Sequence, residues 1–207
     1  MAQYVTKKQQ VKNLLNEIEK VITSVNADIA IPILQWTKEK ILMDSSEKYR
    51  QDKYKTTKWK KFKPRAVKQW EVYGCALGKN VGSEQNGKSR PVIIAQDTSK
   101  CMKSPTVLII PLTAAYDKNG IKKRKLDTQI EFSHPSMSKV SYIKVEHARC
   151  ISKARLTEKM CDLDADTIND IKKMVKDTIP VMVIEVQDFG MMRADHVWSK
   201  LQAKMKG

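Results

Sequence analysis

The sequence predicts a mainly β domain, a small antiparallel barrel or curled sheet, with a closing α-helix and a helical N-terminal extension. Short apolar or alternating segments follow one another from about residue 67 without a helical pattern between them, as is typical of small antiparallel barrels. One helical pattern follows these segments, and two more precede them. The predicted strands are 67–77, 91–96, 106–112, 128–132 and 139–146.

The N-terminal extension is predicted to be helical. Residues 6–25 carry apolar side chains at intervals of three and four, which predicts one amphipathic helix. Pro32 is expected to open a second helix, because proline fits the first helical turn. Two such helices joined by a short turn suggest a helical hairpin or a dimerising arm.

The closing helix is predicted to begin after Asp164, which is a good N-cap residue, and to end at Pro180. Its apolar stripe consists of Ile168, Ile171, Met174, Val175 and Ile179. Beyond it, 181–186 are predicted to form one further strand and 191–206 a basic terminal helix.

Residues 53–65 mark the best domain boundary, because lysines alternate there with Tyr54, Trp59 and Phe62 and no period is visible. Such a segment could be a nucleic-acid-binding strap, with bases stacked on the aromatic rings and lysines on the phosphates. It could equally be a solvated linker that its aromatic side chains pin to the domain. The predicted organisation is an extension over 1–63, a core domain over 64–180 and a tail over 181–207.

The charge of the chain is far from neutral. The 207 residues carry a formal net charge of +16, with a pI near 9.6, and such a charge favours a polyanionic partner, nucleic acid above all. No apolar run is long enough for a transmembrane helix, and the N-terminus lacks the apolar core of a secretion signal. We therefore expect a cytoplasmic protein without partners in a membrane.

The cysteines and histidines do not predict a metal site. The four cysteines show no C-x-x-C spacing, and the three histidines do not cluster with them. We therefore expect no metal and no cofactor, and reduced thiols that act as small core side chains. These thiols are Cys75, Cys101, Cys150 and Cys161.

Residues 82–92 are the most informative stretch. A polar, glycine-flanked loop leads there into the apolar run that begins at Val92, and it brings together Glu84, Gln85 and Arg90. Because Pro91 biases the residue before it to extended geometry, Arg90 is expected at the mouth of a strand. An arginine fixed beside a flexible loop suits a phosphate-handling site. The alternative is an ordinary hairpin loop with a surface arginine.

The core domain also carries an ordered set of short segments: Glu71-Val72-Tyr73, Gly82-Ser83-Glu84-Gln85, Arg90-Pro91-Val92, Ser104-Pro105-Thr106, Pro111-Leu112-Thr113, Val145-Glu146 with Arg149, and Ser152-Lys153-Ala154-Arg155-Leu156. In this order, residues 70–165 resemble the MazF/PemK family of toxin endoribonucleases. One short segment would be a weak signal, whereas the ordered set is specific. The resemblance covers roughly half of the chain.

The resemblance implies an SH3-like barrel with a closing helix, usually as a homodimer. It implies metal-independent cleavage of single-stranded RNA, often at a short preferred sequence, and an antitoxin protein that covers the RNA groove. Two departures from the family pattern are visible. The loop has one extra residue between Gly87 and Arg90, and His147 stands where the family usually carries glutamine.

Three residues are predicted to be catalytic: Arg90, Thr113 and Glu84. The arginine fork can pair with two phosphate oxygens in the transition state, but its very high ordinary pKa makes it a poor general base. Thr113 can donate a hydrogen bond to the same phosphate, or simply cap a turn. Glu84 can orient Arg90, accept the 2′-OH proton, or pair with a lysine as a structural loop acid.

The predicted RNA-binding residues surround this group. They are Ser83, Gln85, Lys79, Lys88, His147, Lys122 and Lys123. The lysines form an electrostatic footprint for RNA or a solvated face. His147 is an acid–base candidate, because its ordinary pKa lies near neutrality, or a solvent-facing histidine. His134 is interpreted as a loop residue.

The leading functional hypothesis is a sequence-selective endoribonuclease toxin. The alternative, from another class, is a non-catalytic nucleic-acid-binding or gyrase-inhibiting module on the same barrel; the presence of both Arg90 and Thr113 argues against it. A built-in antitoxin in the N-terminal helices is disfavoured, because that segment is rich in lysine whereas a mimic of RNA should be acidic.

Overall fold

The structure is a computed structural model that describes residues 6–55 and 65–179. The strand predicted at 181–186 and the helix predicted at 191–206 lie outside the described residues, as does most of the predicted strap over 53–65. Only its first residues are placed, at the end of a helix.

Two helices form the N-terminal part: α1, Lys7–Thr23, and α2, Ala27–Lys55. Thr6 caps α1 by accepting a hydrogen bond from the amide of Gln9 at 3.3 Å. The prediction that Pro32 opens the second helix is wrong, because α2 begins at Ala27 and Pro32 lies inside it. Asn26 starts this helix instead, since its side-chain oxygen accepts the Asp28 amide at 2.8 Å and so satisfies one of the first unpaired donors.

The core domain is one antiparallel sheet with short helices. Its strands are β1 Glu71–Cys75, β2 Arg90–Ile94, β3 Thr106–Ala114, β4 Gln129–Phe132, β5 Ser141–Lys144, β6 Arg149–Ser152 and β7 Leu156–Asp162. Their spatial order is β4-β5-β3-β2-β1-β7, and β6 pairs with β3. Helix α3, Thr98–Cys101, follows β2, and helix α4, Ala165–Thr178, follows β7. Short 3-10 turns occupy Val145–His147 and Lys153–Arg155.

The mainly antiparallel sheet with helices is as predicted, but the barrel is not closed. Within the described part of the chain no ladder joins β4 to β7, the two ends of the strand order. The five predicted strands are all found, with shifted ends. β6 and β7 were missed, because β6 is only four residues long and β7 is interrupted by register shifts against β1.

The sheet buries apolar side chains on both faces. One cluster includes Tyr73, Val92 and Ile94, and the other includes Val72 and Ile93 from the same strands. Since successive side chains of a strand point to opposite faces, the two clusters lie on opposite sides of the sheet. Burying each such side chain fully contributes about 1.5–3 kcal/mol, so the strand ends are held on a rigid base.

Helix α4 packs on the second cluster. Its residue Ile171 is fully buried, and Ile168, Met174, Val175 and Ile179 lie against the same cluster. The predicted cap is confirmed, because the carboxylate of Asp164 accepts the Thr167 amide at 2.8 Å. The predicted apolar stripe is therefore the packing face of this helix.

Three of the four cysteines are buried, as predicted: Cys75, Cys101 and Cys161. The prediction is wrong for Cys150, which is exposed. It precedes the buried Ile151 on β6, so the alternation of the strand turns the thiol outward. No helix in the described ranges is long and apolar enough to cross a membrane.

Candidate active site

Arg90 is the first residue of β2 and is half-buried. Its Nη1 donates to the carbonyl oxygen of Leu112 at 2.9 Å, and its Nε donates to the carbonyl oxygen of Asn86. Among the described residues, no hydrogen bond uses Nη2. The guanidinium is thus fixed from two sides, and its Nη2 remains without a described partner. Arg90 lies at the start of β2, where the position before Pro91 predicted it.

Thr113 lies beside this arginine. It follows Leu112 on β3, so the carbonyl that anchors Arg90 belongs to the residue directly before it. Both side chains line a cleft of about 420 Å³ between β2, β3 and the segment 137–141. Lys88, Ser89 and Lys139 also line the cleft, which gives it a cationic and hydroxyl-rich wall.

The electrostatics of the cleft favour an anion. Burial lowers the pKa of the Arg90 guanidinium below its ordinary value, and the nearby positive charge of Arg149 lowers it further. Arg90 has no acid bonded to it among the described residues, and Glu84 faces Arg149 rather than Arg90, so the positive charge of Arg90 is not neutralised by a described partner. A phosphate group would neutralise this charge by pairing with the arginine fork.

The loop between β1 and β2 is closed at its base by a pair of glycines. Gly78 and Gly87 exchange two backbone hydrogen bonds, each of 2.9 Å. Higher in the loop, the amide of Asn80 donates to the side-chain oxygen of Asn86 at 2.6 Å. The side chain of Asn80 also donates to the carbonyl of Gln85 at 2.8 Å, so the loop has internal order.

Glu84 does not contact Arg90 in any described interaction. Its carboxylate lies 3.9 Å from Nη1 of Arg149, and its side chain is 57% exposed. Arg149 starts β6 and also donates from Nη2 to the carbonyl of Gln85 at 3.1 Å. Its buried Nε has no partner among the described residues. Arg149 therefore connects the loop to the sheet, and the Glu84 carboxylate lies beside the guanidinium that makes this connection.

His147 lies in the 3-10 turn Val145–His147. Its Nε2 is 4.0 Å from the carboxylate of Glu146, which also receives a hydrogen bond from Gln129 and an ion pair from Lys144. Burial lowers the pKa of His147 below its ordinary value, and the positive charge of Lys144 acts in the same direction. The imidazole therefore holds a proton less readily than an ordinary histidine. It does not line the Arg90 cleft.

The remaining predicted RNA-binding residues fall into three groups. Lys88 lines the cleft, and Lys123 reaches its rim by donating to the carbonyl of Ala114 at 3.1 Å. Lys122 is paired with Glu131 at 2.8 Å, away from the cleft lining. The others are loop residues: Lys79 and Ser83 are exposed, and Gln85 is half-buried. His134 is a loop residue, as predicted, whose ring stacks on Phe132.

Three residues that shape the site were not singled out from the sequence. Arg149 was noted only as part of a segment, and the loop amides Asn80 and Asn86 were not noted at all. Asparagines in a glycine-rich loop are a usable signal for side-chain to backbone bonds. The role of Arg149 has no local signal, because its partner is 64 residues earlier in the chain. The described residues contain no cluster of metal-ligating side chains.

The fold and the cleft define a small β domain with a fixed, half-buried arginine in a cleft lined by lysines and hydroxyl groups. The chain belongs to the PemK-like, MazF-like toxin family of type II toxin-antitoxin systems, whose sequence model matches residues 68–179. It is 34% identical over 112 residues to endoribonuclease EndoA of Bacillus subtilis (strain 168), a match that spans 53% of this chain and 91% of that protein. It is 33% identical over 107 residues to endoribonuclease MazF of Staphylococcus epidermidis, spanning 51% and 84%.

Two solved structures align with the chain at lower identity. A mycobacterial endoribonuclease in complex with its cognate antitoxin aligns with a TM-score of 0.44 and 16% identity, over 56% of this chain and 97% of that one. MazF from Deinococcus radiodurans aligns with a TM-score of 0.47 and 12% identity, over 56% and 98%.

Proposed function

We propose that this chain is a sequence-selective endoribonuclease toxin that cleaves single-stranded RNA without a metal ion. The observation that carries the proposal is the Arg90 guanidinium, fixed by the carbonyls of Leu112 and Asn86 at the mouth of a cleft that it shares with Thr113. Membership of the toxin family and the likeness to two endoribonucleases support the activity.

The proposed reaction needs no water and no cofactor. The 2′-OH of the RNA loses its proton to a base, and its oxygen forms a bond to the adjacent phosphorus while the bond from phosphorus to the 5′-oxygen breaks. The leaving 5′-oxygen takes up a proton. The products are a 2′,3′-cyclic phosphate on one fragment and a 5′-OH on the other, so atoms and charges balance.

Arg90 is proposed to stabilise the charge that grows on the phosphoryl oxygens. A fixed cation costs little reorganisation when this charge develops, and burial strengthens its effect. Thr113 is proposed to donate a hydrogen bond to the same group from the next strand. Because burial and Arg149 lower the pKa of Arg90, it also releases a proton more readily than an exposed arginine would.

Two residues are candidates for the base that accepts the 2′-OH proton. Glu84 stands near Arg149 at the loop and is exposed to an arriving substrate. His147 has a lowered pKa, which favours the neutral form that can accept a proton, but it lies outside the cleft lining. The dependence of the cleavage rate on pH separates the two candidates, because the rate rises with pH as the base loses its proton. If this rise is absent in Glu84→Gln, the base is Glu84. If it is absent in His147→Asn, the base is His147.

The partners follow from the family and the charge. We propose a homodimer and a cognate antitoxin that covers the cleft, because the family is that of toxins from toxin-antitoxin systems. The net charge of +16 supports RNA as the substrate. We also propose a cytoplasmic location, because messenger RNA is found there.

The deciding experiment compares the parent, Arg90→Ala and Lys172→Ala on a long single-stranded RNA in excess chelator. Lys172 is an exposed cation on α4 and serves as the charge-matched control. We expect discrete cuts with 5′-OH ends from the parent and the control, and at least about 100-fold slower cleavage by Arg90→Ala. Intact RNA with the folded, antitoxin-free parent would reject the proposal in favour of a binding or gyrase-inhibiting module.

A further inference from the structure

Helix α2 contacts the catalytic domain at the base of the β1–β2 loop. The Trp36 indole lies directly on Gly78, so that a side-chain carbon at Gly78 would overlap the ring atoms Cε2 and Cδ2. Gly78 is buried and has a φ of 78°, a conformation that favours glycine. The guanidinium of Arg155 lies 5.3 Å from the centroid of the same ring. The indole is thus packed against the domain rather than displayed to solvent.

The contact continues from Gly78 to the catalytic arginine. Gly78 exchanges two hydrogen bonds with Gly87, and a side-chain carbon at Gly87 would come within 3.4 Å of the Nε of Arg90. The same Nε donates to the carbonyl of Asn86, the residue before Gly87. A movement of the glycine pair therefore moves the acceptor that sets the orientation of Arg90.

A second contact from α2 reaches the other end of the loop. Glu39, one turn after Trp36, lies 3.3 Å from the Nζ of Lys88. Because the lysine side chain is 75% exposed, this ion pair contributes little by itself. Trp36 is half-buried and packs directly on Gly78, so it is the part of the contact that can hold the loop.

We propose that Trp36 is a positioning residue for RNA cleavage: it presses on the Gly78–Gly87 pair and thereby holds Arg90 in its reactive orientation. The inference rests on the proposed endoribonuclease function. Trp36 lies outside residues 68–179, which match the family. In this chain, helix α2, which precedes the family domain, would therefore help to position the active-site arginine.

The test compares full-length Trp36→Ala, Trp36→Phe and the control Leu42→Ala. Leu42 is exposed on the same helix and is not among the residues that line the cavity between α2 and the segment 152–155. On a single-stranded RNA we expect Trp36→Ala to lower kcat at least about tenfold with KM changed less than about threefold, since small misplacements of a catalytic group are costly. Trp36→Phe should recover most of kcat, and Leu42→Ala should match the parent.

A second readout does not depend on cleavage. Amide exchange at Gly78 and Gly87, and the NMR signal of the Arg90 Nε–H, report the support directly. In Trp36→Ala we expect both amides to exchange faster and the Nε–H signal to broaden, while the amides of β3 stay protected. If Trp36→Ala does not fold, Trp36→Leu replaces it, since leucine keeps an apolar side chain but lacks the flat ring. Faster exchange of the Gly78 and Gly87 amides and a broadened Arg90 Nε–H signal are expected in that variant as well.

The outcomes separate this inference from the proposed function. An inactive parent whose Gly78 and Gly87 amides still loosen in the variant would reject the ribonuclease while keeping the support role of Trp36. An active parent with unchanged kcat and unchanged amide exchange in the variant would reject the role of Trp36 alone. An equal loss in Trp36→Phe would also contradict it, because a flat ring should still cover Gly78.

Discussion

Arg149 and Gln85 are joined across 64 residues of sequence: Nη2 of the arginine donates to the carbonyl of the loop residue at 3.1 Å. The same guanidinium lies 3.9 Å from the Glu84 carboxylate. Through this one side chain, the strand β6 fixes the tip of the loop that carries the acidic candidate base. The loop is therefore held at three places: by Arg149 at the tip, by Arg90 near its end and by the glycine pair at its base.

The first prediction concerns Arg149. Replacing it by alanine removes the hydrogen bond to Gln85 and frees the tip of the loop, so we expect RNA cleavage to slow by about tenfold to a hundredfold. Arg149→Lys keeps the charge but loses the planar fork, and it should restore only part of the rate. Cleavage rates and hydrogen exchange over residues 80–88 measure the two effects. A full rate in Arg149→Ala would show that the tip of the loop has no part in catalysis.

The second prediction concerns the buried amine of Lys153. This residue is only 3% exposed, and its Nζ donates to the carbonyls of Arg65, at 3.0 Å, and Cys101. Burial lowers the pKa of this amine. Lys153→Met leaves two carbonyls without their donor, and we expect it to lower the free energy of unfolding by about 1–3 kcal/mol.

Urea unfolding measures this change, with Lys103→Met as the control, because Lys103 is exposed. The control should stay within about 0.5 kcal/mol of the parent. Equal stabilities of the two variants would mean that the carbonyls find other donors.

The third prediction is a pH dependence set by Glu71. Burial opposes its ionisation, but the Lys68 amide, the Lys159 ammonium and the Tyr73 hydroxyl bond its carboxylate, and their sum lowers its pKa. A lowered pKa means that the unfolded state takes up the proton first. The stability from this group is therefore complete above the unfolded pKa, near 4.3, and is lost as the pH falls through the lower folded value.

Glu71→Gln should therefore cost about 1.5–3 kcal/mol at pH 7, and the gap to the parent should narrow below about pH 4. Thermal or urea unfolding at several pH values measures this gap. A constant gap down to pH 2 would contradict the role of the charged carboxylate.

The fourth prediction is a count of reactive thiols. Cys150 is exposed, whereas Cys75, Cys101 and Cys161 are buried. Burial raises the pKa of Cys75 to about 12, although Arg155 and Arg149 act against the rise. We expect one thiol to react rapidly with a thiol reagent in the folded protein and four after denaturation. Cys150→Ser should abolish the rapid reaction, and a rapid thiol that survives this change would contradict the placement of Cys150.

The sequence predicted the strands that show either an apolar run or a clear apolar–polar alternation. β2 and β3 are apolar runs, so periodicity and the flanking Pro91 located them. β7 was missed because Lys159 and Asp162 turn its outer face into a charged surface, and because its pairing with β1 slips twice. The start of α2 was misplaced because proline is common in the first turn of helices, which favoured Pro32 as the start. Asn26 makes the capping hydrogen bond instead.

The candidate site shows the same division. That Arg90 and Thr113 stand at strand ends could be predicted from short stretches of sequence, and the family resemblance placed both at one site; the structure puts both in the lining of one cleft. The connection through Arg149 and the contact of Trp36 with Gly78 could not be predicted, since both join segments that are far apart in the chain and no local pattern records them.

β3 pairs with three other strands, β2, β5 and β6. The two sides of the cleft therefore differ in how firmly the sheet holds them. Thr113 and the carbonyl that anchors Arg90 stand on a strand that cannot separate without dismantling most of the sheet, so this side opens only with global unfolding. The opposite side is a loop held by the glycine pair, by Arg149 and by the hydrogen bonds of Asn80, without a strand ladder along its length, so we expect it to open locally more readily than β3. We therefore expect the amides of β3 to exchange with solvent only on global unfolding, and the amides of Gly78 and Gly87 to exchange through smaller, local openings.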